Sequence, residues 1–316
     1  MWPASPEKLK NLGVLGMNSR NIEYIARHNS RHLYPIVDNK LKTKQAAIKA
    51  GIDVPDLLGV IENNWQLKTL PALIGPLQQF VIKPARGSGG KGILVISRRD
   101  GDGFVKSSGR KMDMLSVRRH VNNILSGLYS LGGKPDSAMI ETMIEYDEVF
   151  NNYTYEGVPD LRIIIFKGVP VMAMLRCSTH ASDGRANLHQ GAIGVGINIK
   201  TGSSLLAVQH NKPVLTHPDT GQVFDDLQIP NWTAILQLAS RCYEMTGLGY
   251  LGCDIVLDKN KGAMILELNA RPGLAIQLAN GEGLQKRLQK IEKISTEIIE
   301  MTAESRVDFL LAGYFD

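Results

Sequence analysis

Residues 80–96 read FVIKPARGSGGKGILVI: two apolar runs flank a stretch with four glycines (Gly87, Gly89, Gly90, Gly92), with Lys83 ahead of them and Lys91 among them. The flanking residues are β-formers, so the pattern predicts strand, turn and strand. Backbone N–H groups approach a phosphate closely only where Cβ atoms are absent, and a lysine on the adjoining strand supplies the cation a polyphosphate needs. Taken alone, the segment reads either as a phosphate-gripping hairpin or as a flexible surface hairpin. A Walker loop is excluded, because no Ser or Thr follows Lys91 and the run leads into a strand rather than a helix.

Around this hairpin the chain alternates helical and extended patterns. The first forty residues read as helical and basic, with Pro35 ending the segment. KTKQAAIKAGI predicts a helix stopped by Gly51, and an extended run follows from Leu57 to Ile61. The polar, basic stretch 98–120 predicts a mobile loop before a helix over 114–131. SAMIETMI predicts a short strand, and DLRIIIFKGVPVMAMLRCST two strands around a Lys167-Gly168 turn. A helix is expected over 231–247, a second hairpin around DKNKG, and a last amphipathic helix over 281–303.

The chain has 316 residues, 43% of them hydrophobic, enough for one large core or two to three coupled subdomains. Three cysteines, without paired or metal-ligand spacing, fit a reducing compartment. There is no apolar run long enough for a span and no apolar leader, so a cytoplasmic protein without a membrane span is expected. The net charge of +5 favours anionic ligands without choosing among them.

Asp254, Glu267 and Asn269 form a second candidate site. On a hairpin, Glu267 and Asn269 face one way and Asp254 on the partner strand can face them. Two carboxylates and an amide suit hard Mg²⁺ ions that also hold substrate phosphates, whereas zinc would call for His or Cys. The apolar neighbours in ILELN argue that the Glu267 face is partly buried, and a buried carboxylate needs a cation or donors.

In chain order, NKLKTKQAAIKAGIDVP, FVIKPARGSGGKGI, IETMIEYDE, DLRIIIFKGVPVMAMLR, NLHQGA and GCDIVLDKNKGAMILELNARPGL together resemble the ATP-grasp superfamily, with closest likeness to its ribosomal-protein-modifying, alpha-L-glutamate ligase-like branch. The resemblance runs from about Asn39 to Leu274. It implies an α+β fold in which two subdomains grip ATP between antiparallel or mixed sheets: a short helical segment 1–38, a small subdomain 39–143 and a large subdomain 144–316 carrying the metal site. It implies that Lys40 and Lys83 contact the phosphates of ATP, with Gly87, Ser88, Gly89, Gly90, Lys91 and Gly92 closing over them. Glu141 would bind the adenine amino group, main-chain groups of Thr142, Met143 and Ile144 would frame the base, and Glu148 would hold the ribose. Asp254, Glu267 and Asn269 would bind two Mg²⁺ ions, with Mn²⁺ as an alternative, and Arg176 would stabilise the transferring phosphoryl group. Asn187 would support the reacting end, while Arg162 and Arg271 would hold substrate carboxylates.

The activity implied is ATP-dependent carboxylate–amine ligation through an acyl phosphate, joining an amino acid such as glutamate to a carboxylate-bearing acceptor. It needs positioning and charge neutralisation rather than a nucleophile. Each residue has a plainer alternative. The phosphate contact given to Lys40 could equally belong to Lys42 or Lys44, with the other two on a solvated helix face. His189 is a substrate contact or a structural histidine, and Arg162 pairs with Asp160 or Glu156 or with a ligand. Relatives usually carry a full N-terminal α/β domain, so a partner chain or a second copy is expected to complete the substrate site. The arginine often found two residues before the first metal aspartate is Gly252 here. Two rival functions are a catalytically silent ATP-binding scaffold and a nucleic-acid module using 98–120; the latter is disfavoured because Phe104 is the sole interleaved aromatic.

Overall fold

The structure, a computed structural model, describes residues 5–87 and 89–315. The chain divides into a smaller unit, Asp38–Gln45 with Val54–Glu145, and a larger one, Met1–Val37 with Ala46–Asp53 and Tyr146–Asp316.

In the smaller unit, strands β1 (Leu57–Ile61), β2 (Phe80–Pro84), β3 (Leu94–Asp100), β4 (Gly103–Lys106), β5 (Lys111–Met112) and β6 (Ala138–Glu141) form an antiparallel sheet in the order β1-β6-β2-β3-β4-β5. Helix α1 (Lys40–Lys49), of which residues 40–45 belong to this unit, precedes β1 in sequence, and α2 (Met114–Leu125) and the short helix Leu70–Ile74 lie in sequence among its strands. Strand alternation puts Phe80 and Ile82 of β2 into a core with Val117, Val121 and Ile124 of α2, so Lys83 falls on the opposite face. Asp113 caps α2 by accepting from the Ser116 amide at 2.8 Å. The helix stops well short of residue 131. Gly127 turns at φ 82°, and a Cβ there would sit 2.4 Å from the Lys134 carbonyl oxygen.

The stretch expected as a mobile loop is instead the end of β3 followed by β4 and β5. Phe104 is fully buried and packs edge-on against Phe80 at 5.5 Å between centroids. Arg99 donates to the Gly75 carbonyl, and its guanidinium lies 5.2 Å from the Phe104 ring. One apolar pair, Phe104-Val105, is thus enough to fix this basic stretch to the sheet.

The larger unit carries β7 (Asp160–Phe166), β8 (Val169–Cys177), β9 (Ile193–Ile197), β10 (Ser204–Gln209), β11 (Lys212–Val214), β12 (Tyr250–Asp258) and β13 (Gly262–Asn269), antiparallel in the order β11-β10-β9-β8-β7-β12-β13. β7 and β8 meet through Lys167 and Gly168, both with positive φ (50° and 81°), the two-residue turn whose twist suits a hairpin. The unit also carries helices α3 (Trp232–Thr246), α4 (Ile276–Asn280), α5 (Gln285–Lys293) and α6 (Ala303–Leu311), with shorter helices Pro6–Asn11 and Ser295–Glu300. The single helix expected over 281–303 is broken, because Ile294 leaves helical geometry (φ −114°, ψ 22°) and Thr302 caps α6 anew. Pro35 does not end a helix. It lies at the start of the turn Tyr34–Val37, where its missing N–H costs nothing.

All three cysteines are buried and none forms a disulfide, although Cys242 and Cys253 have sulfurs 3.8 Å apart. Among the described residues no helix is long and apolar enough to cross a membrane. β9 crosses α4 so closely that a Cβ on Gly196 would lie 2.2 Å from the Ala279 carbonyl oxygen. Gly196→Ala is therefore expected to cost about 1–3 kcal/mol by overpacking, read as a lower urea midpoint at unchanged slope.

Candidate active site

In the smaller unit the site grows from β2 and β6. Val81 and Glu141 are register partners, so Lys83, two residues along the same face, lies diagonal to Glu141. The Lys83 Nζ is 2.6 Å from one Glu141 carboxylate oxygen and the Lys44 Nζ 3.0 Å from the other. All three side chains are buried. Burial lowers the Lys44 pKa, against the opposing pull of Glu141. Two lysines on one carboxylate leave a surplus positive charge, and a buried surplus of that sign invites an anion.

The glycine loop between β2 and β3 is pinned from beneath. The Lys40 amine donates to the Gly87 carbonyl at 2.7 Å, Gly87 bridges to Ser130, and the His120 Nε2 lies 3.0 Å from the Gly92 carbonyl. A Cβ on Gly92 (φ 77°) would strike the Tyr129 ring at 2.6 Å, and one on Gly87 would meet Pro84 at 2.3 Å. These two glycines allow close packing, while Gly89, Gly90 and Lys91 are exposed at the tip. Ser88 lies outside the described residues. After β6, Thr142 pairs with Asp56 through both its amide and its hydroxyl, and Met143 and Ile144 continue half-buried.

In the larger unit, strand register assembles a separate cluster. Asp160 opposes Arg176, Arg162 opposes Met174 across β8 and Asp254 across β12, and Asp254 opposes Glu267. One face of the sheet therefore carries charge at this end, while Ile164, Phe166 and Met172 carry the same face into the core. Arg162 grips Asp254 with Nε at 2.8 Å and Nη2 at 2.6 Å. Arg176 reaches Asp254 at 2.8 Å and Asp160 at 2.6 Å, and the Asn269 amide lies 3.4 Å from Asp254. Burial works against ionisation of Asp254, yet Arg162 and Arg176 together hold it down at about 2. Burial pushes Asp160 up to about 6 even against Arg176.

The other candidates lie on turns. Asn187 caps the turn Leu188–Gln190 by accepting from the His189 amide at 3.0 Å, and His189 itself is exposed. Glu148 is exposed on the turn Glu148–Phe150. Arg271 is exposed, its guanidinium 5.1 Å from the Tyr34 ring. Gly252 has a local reason: a Cβ there would lie 2.7 Å from Pro272, so no arginine fits at that position.

The donor set of Asp254, Glu267 and Asn269 is all oxygen, which fits a hard divalent ion with substrate oxygens completing its shell. Among the described residues no three His, Cys, Asp or Glu side chains gather as a self-sufficient metal site. Such an ion would therefore depend on Asn269 and on the ligand.

Residues 19–293 match the family described as sugar-transfer associated ATP-grasp. The chain belongs to this ATP-grasp family. No curated protein matches its sequence. Among solved structures, the ATP-grasp ligase PsnB complexed with a minimal precursor is similar at 13% identity and a TM-score of 0.42, covering 85% of this chain and 63% of PsnB. The D-cycloserine synthetase DcsG is similar at 13% identity and 0.44, covering 84% of this chain and 71% of that one. A RimK domain ATP-grasp protein from Sphaerobacter thermophilus is similar at 13% identity and 0.46, covering 83% and 69%. The chain thus spans less than two thirds of the length of PsnB.

Two residues of these clusters in this ATP-grasp protein were read from the sequence only as alternatives, Lys44 for the phosphate contact and Asp160 as a partner of Arg162. Lys44 lies on the stripe Leu41, Lys44, Ala47, whose spacing of three marks the buried face of α1. Asp160 heads the alternation Asp160, Arg162, Ile164, Phe166, so its face was readable from β7 itself.

Proposed function

We propose that the chain is an ATP-dependent carboxylate–amine ligase working through an acyl phosphate. The observation that supports it most directly is the Arg162–Asp254–Arg176 cluster with Glu267 in register: cations and all-oxygen donors at one place, without a nucleophile. In this reading Lys83 and Lys40 neutralise nucleotide phosphates, the 87–92 backbone covers them, Thr142 to Ile144 frame the base and Glu148 holds the ribose. Asp254, Glu267 and Asn269 would hold a divalent ion, which would supply charge neutralisation at the triphosphate. A substrate carboxylate oxygen attacks the γ-phosphorus and ADP leaves. Arg176 stabilises the charge on the phosphoryl group in flight. The amine then attacks the acyl carbon, phosphate leaves, and the amine's extra proton passes to solvent or a carboxylate. Arg162 and Arg271 hold substrate carboxylates, and Asn187 supports the reacting end.

The amino donor we favour is glutamate or another amino acid. The family's association with sugar transfer adds sugar-bearing carboxylates and amines to the acceptor classes. Mg-ATP turnover over pools of amino acids, small peptides and sugar acids tests the reading, with mass spectrometry of every mixture that stimulates ADP release. The expected product is an amide formed with loss of water. Glu267→Gln should abolish ADP formation while metal-free ADP binding persists. AMP and pyrophosphate as products would overturn the acyl-phosphate route, and tight ATP binding without turnover in any pool would favour a silent scaffold.

A further inference from the structure

We propose that residues 15–34 form a strap that sets the backbone of the loop 269–273, with Asn29 and Arg20 as positioning residues for Asn269 and Tyr34 as the platform for Arg271. This rests on the ligase reading for the roles of Asn269 and Arg271, but its geometry is independent of it.

The β12–β13 ladder ends at the pair Gly252 and Asn269. Just beyond it, the Asn29 amide takes over as an additional rung. Its Nδ2 donates to the Tyr250 carbonyl at 2.7 Å and the Ala270 carbonyl at 3.3 Å, and its Oδ1 accepts from the Tyr250 amide at 2.9 Å. Asn29 is only 3% exposed. Two residues further along the loop, Arg20 Nη1 donates to the Pro272 carbonyl at 2.7 Å. Arg20 opens a π-helical turn, Arg20–Ile25, a widened geometry that recurs at functional positions. The Tyr34 ring lies against Arg271. Past the loop, the buried Gln277 accepts from the Leu15 and Leu284 amides at 2.8 and 2.9 Å.

Simple anchoring of the N-terminal segment would not call for this arrangement. Leu15, Tyr24 and Ile25 already sit in the core with Phe166 and Tyr250, and apolar contacts anchor without the desolvation that buried amides incur. Besides the two bonds that seat Asn29 on Tyr250, the strap's polar contacts reach the carbonyls of residues 270 and 272, either side of Arg271 and directly after Asn269. The match to the ATP-grasp family begins at residue 19 and so takes in Arg20, Asn29 and Tyr34.

The test is ADP binding by calorimetry, with and without Mg²⁺, on the full chain. Outer-shell partners of a metal ligand typically tune metal affinity about 10–100-fold. Asn29→Ala is expected to raise the Mg²⁺ concentration that half-saturates the ADP complex about 10-fold, leaving metal-free ADP affinity unchanged. Asn269→Ala should show the same signature, and the double variant should add nothing to it. Arg20→Met touches the loop from a half-exposed position and carries the same expectation at smaller size, so it serves if Asn29→Ala does not fold. Wild-type Mg²⁺ dependence in Arg20→Met and in every folded Asn29 variant would overturn the strap while leaving the ligase reading intact. Failure of the wild type to bind ADP at all would overturn both.

Discussion

Arg176→Met is expected to cost about 3–5 kcal/mol of stability at pH 8 and, in the proposed ligase reaction, to lower turnover about 10²–10³-fold. The stability loss follows from charge balance. Asp160, Arg162, Arg176 and Asp254 are two anions and two cations in one buried network, with Arg176 bridging both carboxylates. Without Arg176, Asp254 keeps the two-pronged grip of Arg162, but Asp160 loses its hydrogen-bonded partner in a site where it is 5% exposed. A carboxyl so placed takes up a proton. Burial already pushes Asp160 up to about 6 with the arginine present, so its removal moves that value further up. A folded-state pKa above the unfolded one means that the penalty is felt in full above the folded pKa and relieved as pH falls through it. Urea denaturation at pH 8 and pH 6 should therefore show a larger gap between wild type and variant at the higher pH. Arg176→Lys should recover part of the stability but not the turnover, since one ammonium cannot span both carboxylates as the planar fork does. A pH-independent gap would mean that Asp160 finds another partner.

The sequence resolved most where local rules and burial agree. Leu57–Ile61 is a strand with the bounds read from its apolar run, and Lys167-Gly168 makes the turn its residues dictate. It resolved least where one contact decides. The basic stretch after residue 98 reads as loop by composition, yet Phe104 buried against Phe80 makes it sheet. The C-terminal helical pattern is continuous across Ile294, and nothing in periodicity marks the break there. In the candidate site, the pairing of Asp254 with Glu267 follows from hairpin register and was legible. The partner of Arg162 was not, because Asp254 lies 92 positions away and is brought opposite only by the β7–β12 pairing. Lys44 was hidden by its neighbours: among three lysines within five residues, charge says surface and only the stripe it shares with Leu41 and Ala47 says otherwise.

The same charge logic runs with opposite sign in the smaller unit, where Glu141→Gln should destabilise more than Lys83→Met. Glu141 lies between the Lys44 and Lys83 amines at 3.0 and 2.6 Å. Removing Lys83 leaves one lysine on one carboxylate, a balanced pair, so little stability is lost. Removing the carboxylate charge leaves two buried amines facing a neutral amide, a loss of about 3–5 kcal/mol. Burial already depresses Lys44 with Glu141 opposing it, so without that carboxylate its pKa falls further. For a base with a lowered folded-state pKa, the penalty is felt in full below that pKa and shrinks as pH rises through it. The Glu141→Gln defect should thus ease as pH rises toward the ordinary lysine range, the reverse of the Arg176→Met trend. Function should rank the two variants the other way in one respect. Lys83→Met, stably folded, should bind ADP about 10–100-fold more weakly, the worth of a charge-assisted contact to phosphate. Denaturation and ADP calorimetry on both variants separate the effects. Wild-type ADP affinity in Lys83→Met would remove this lysine from the nucleotide site and reduce the buried triad to a structural role.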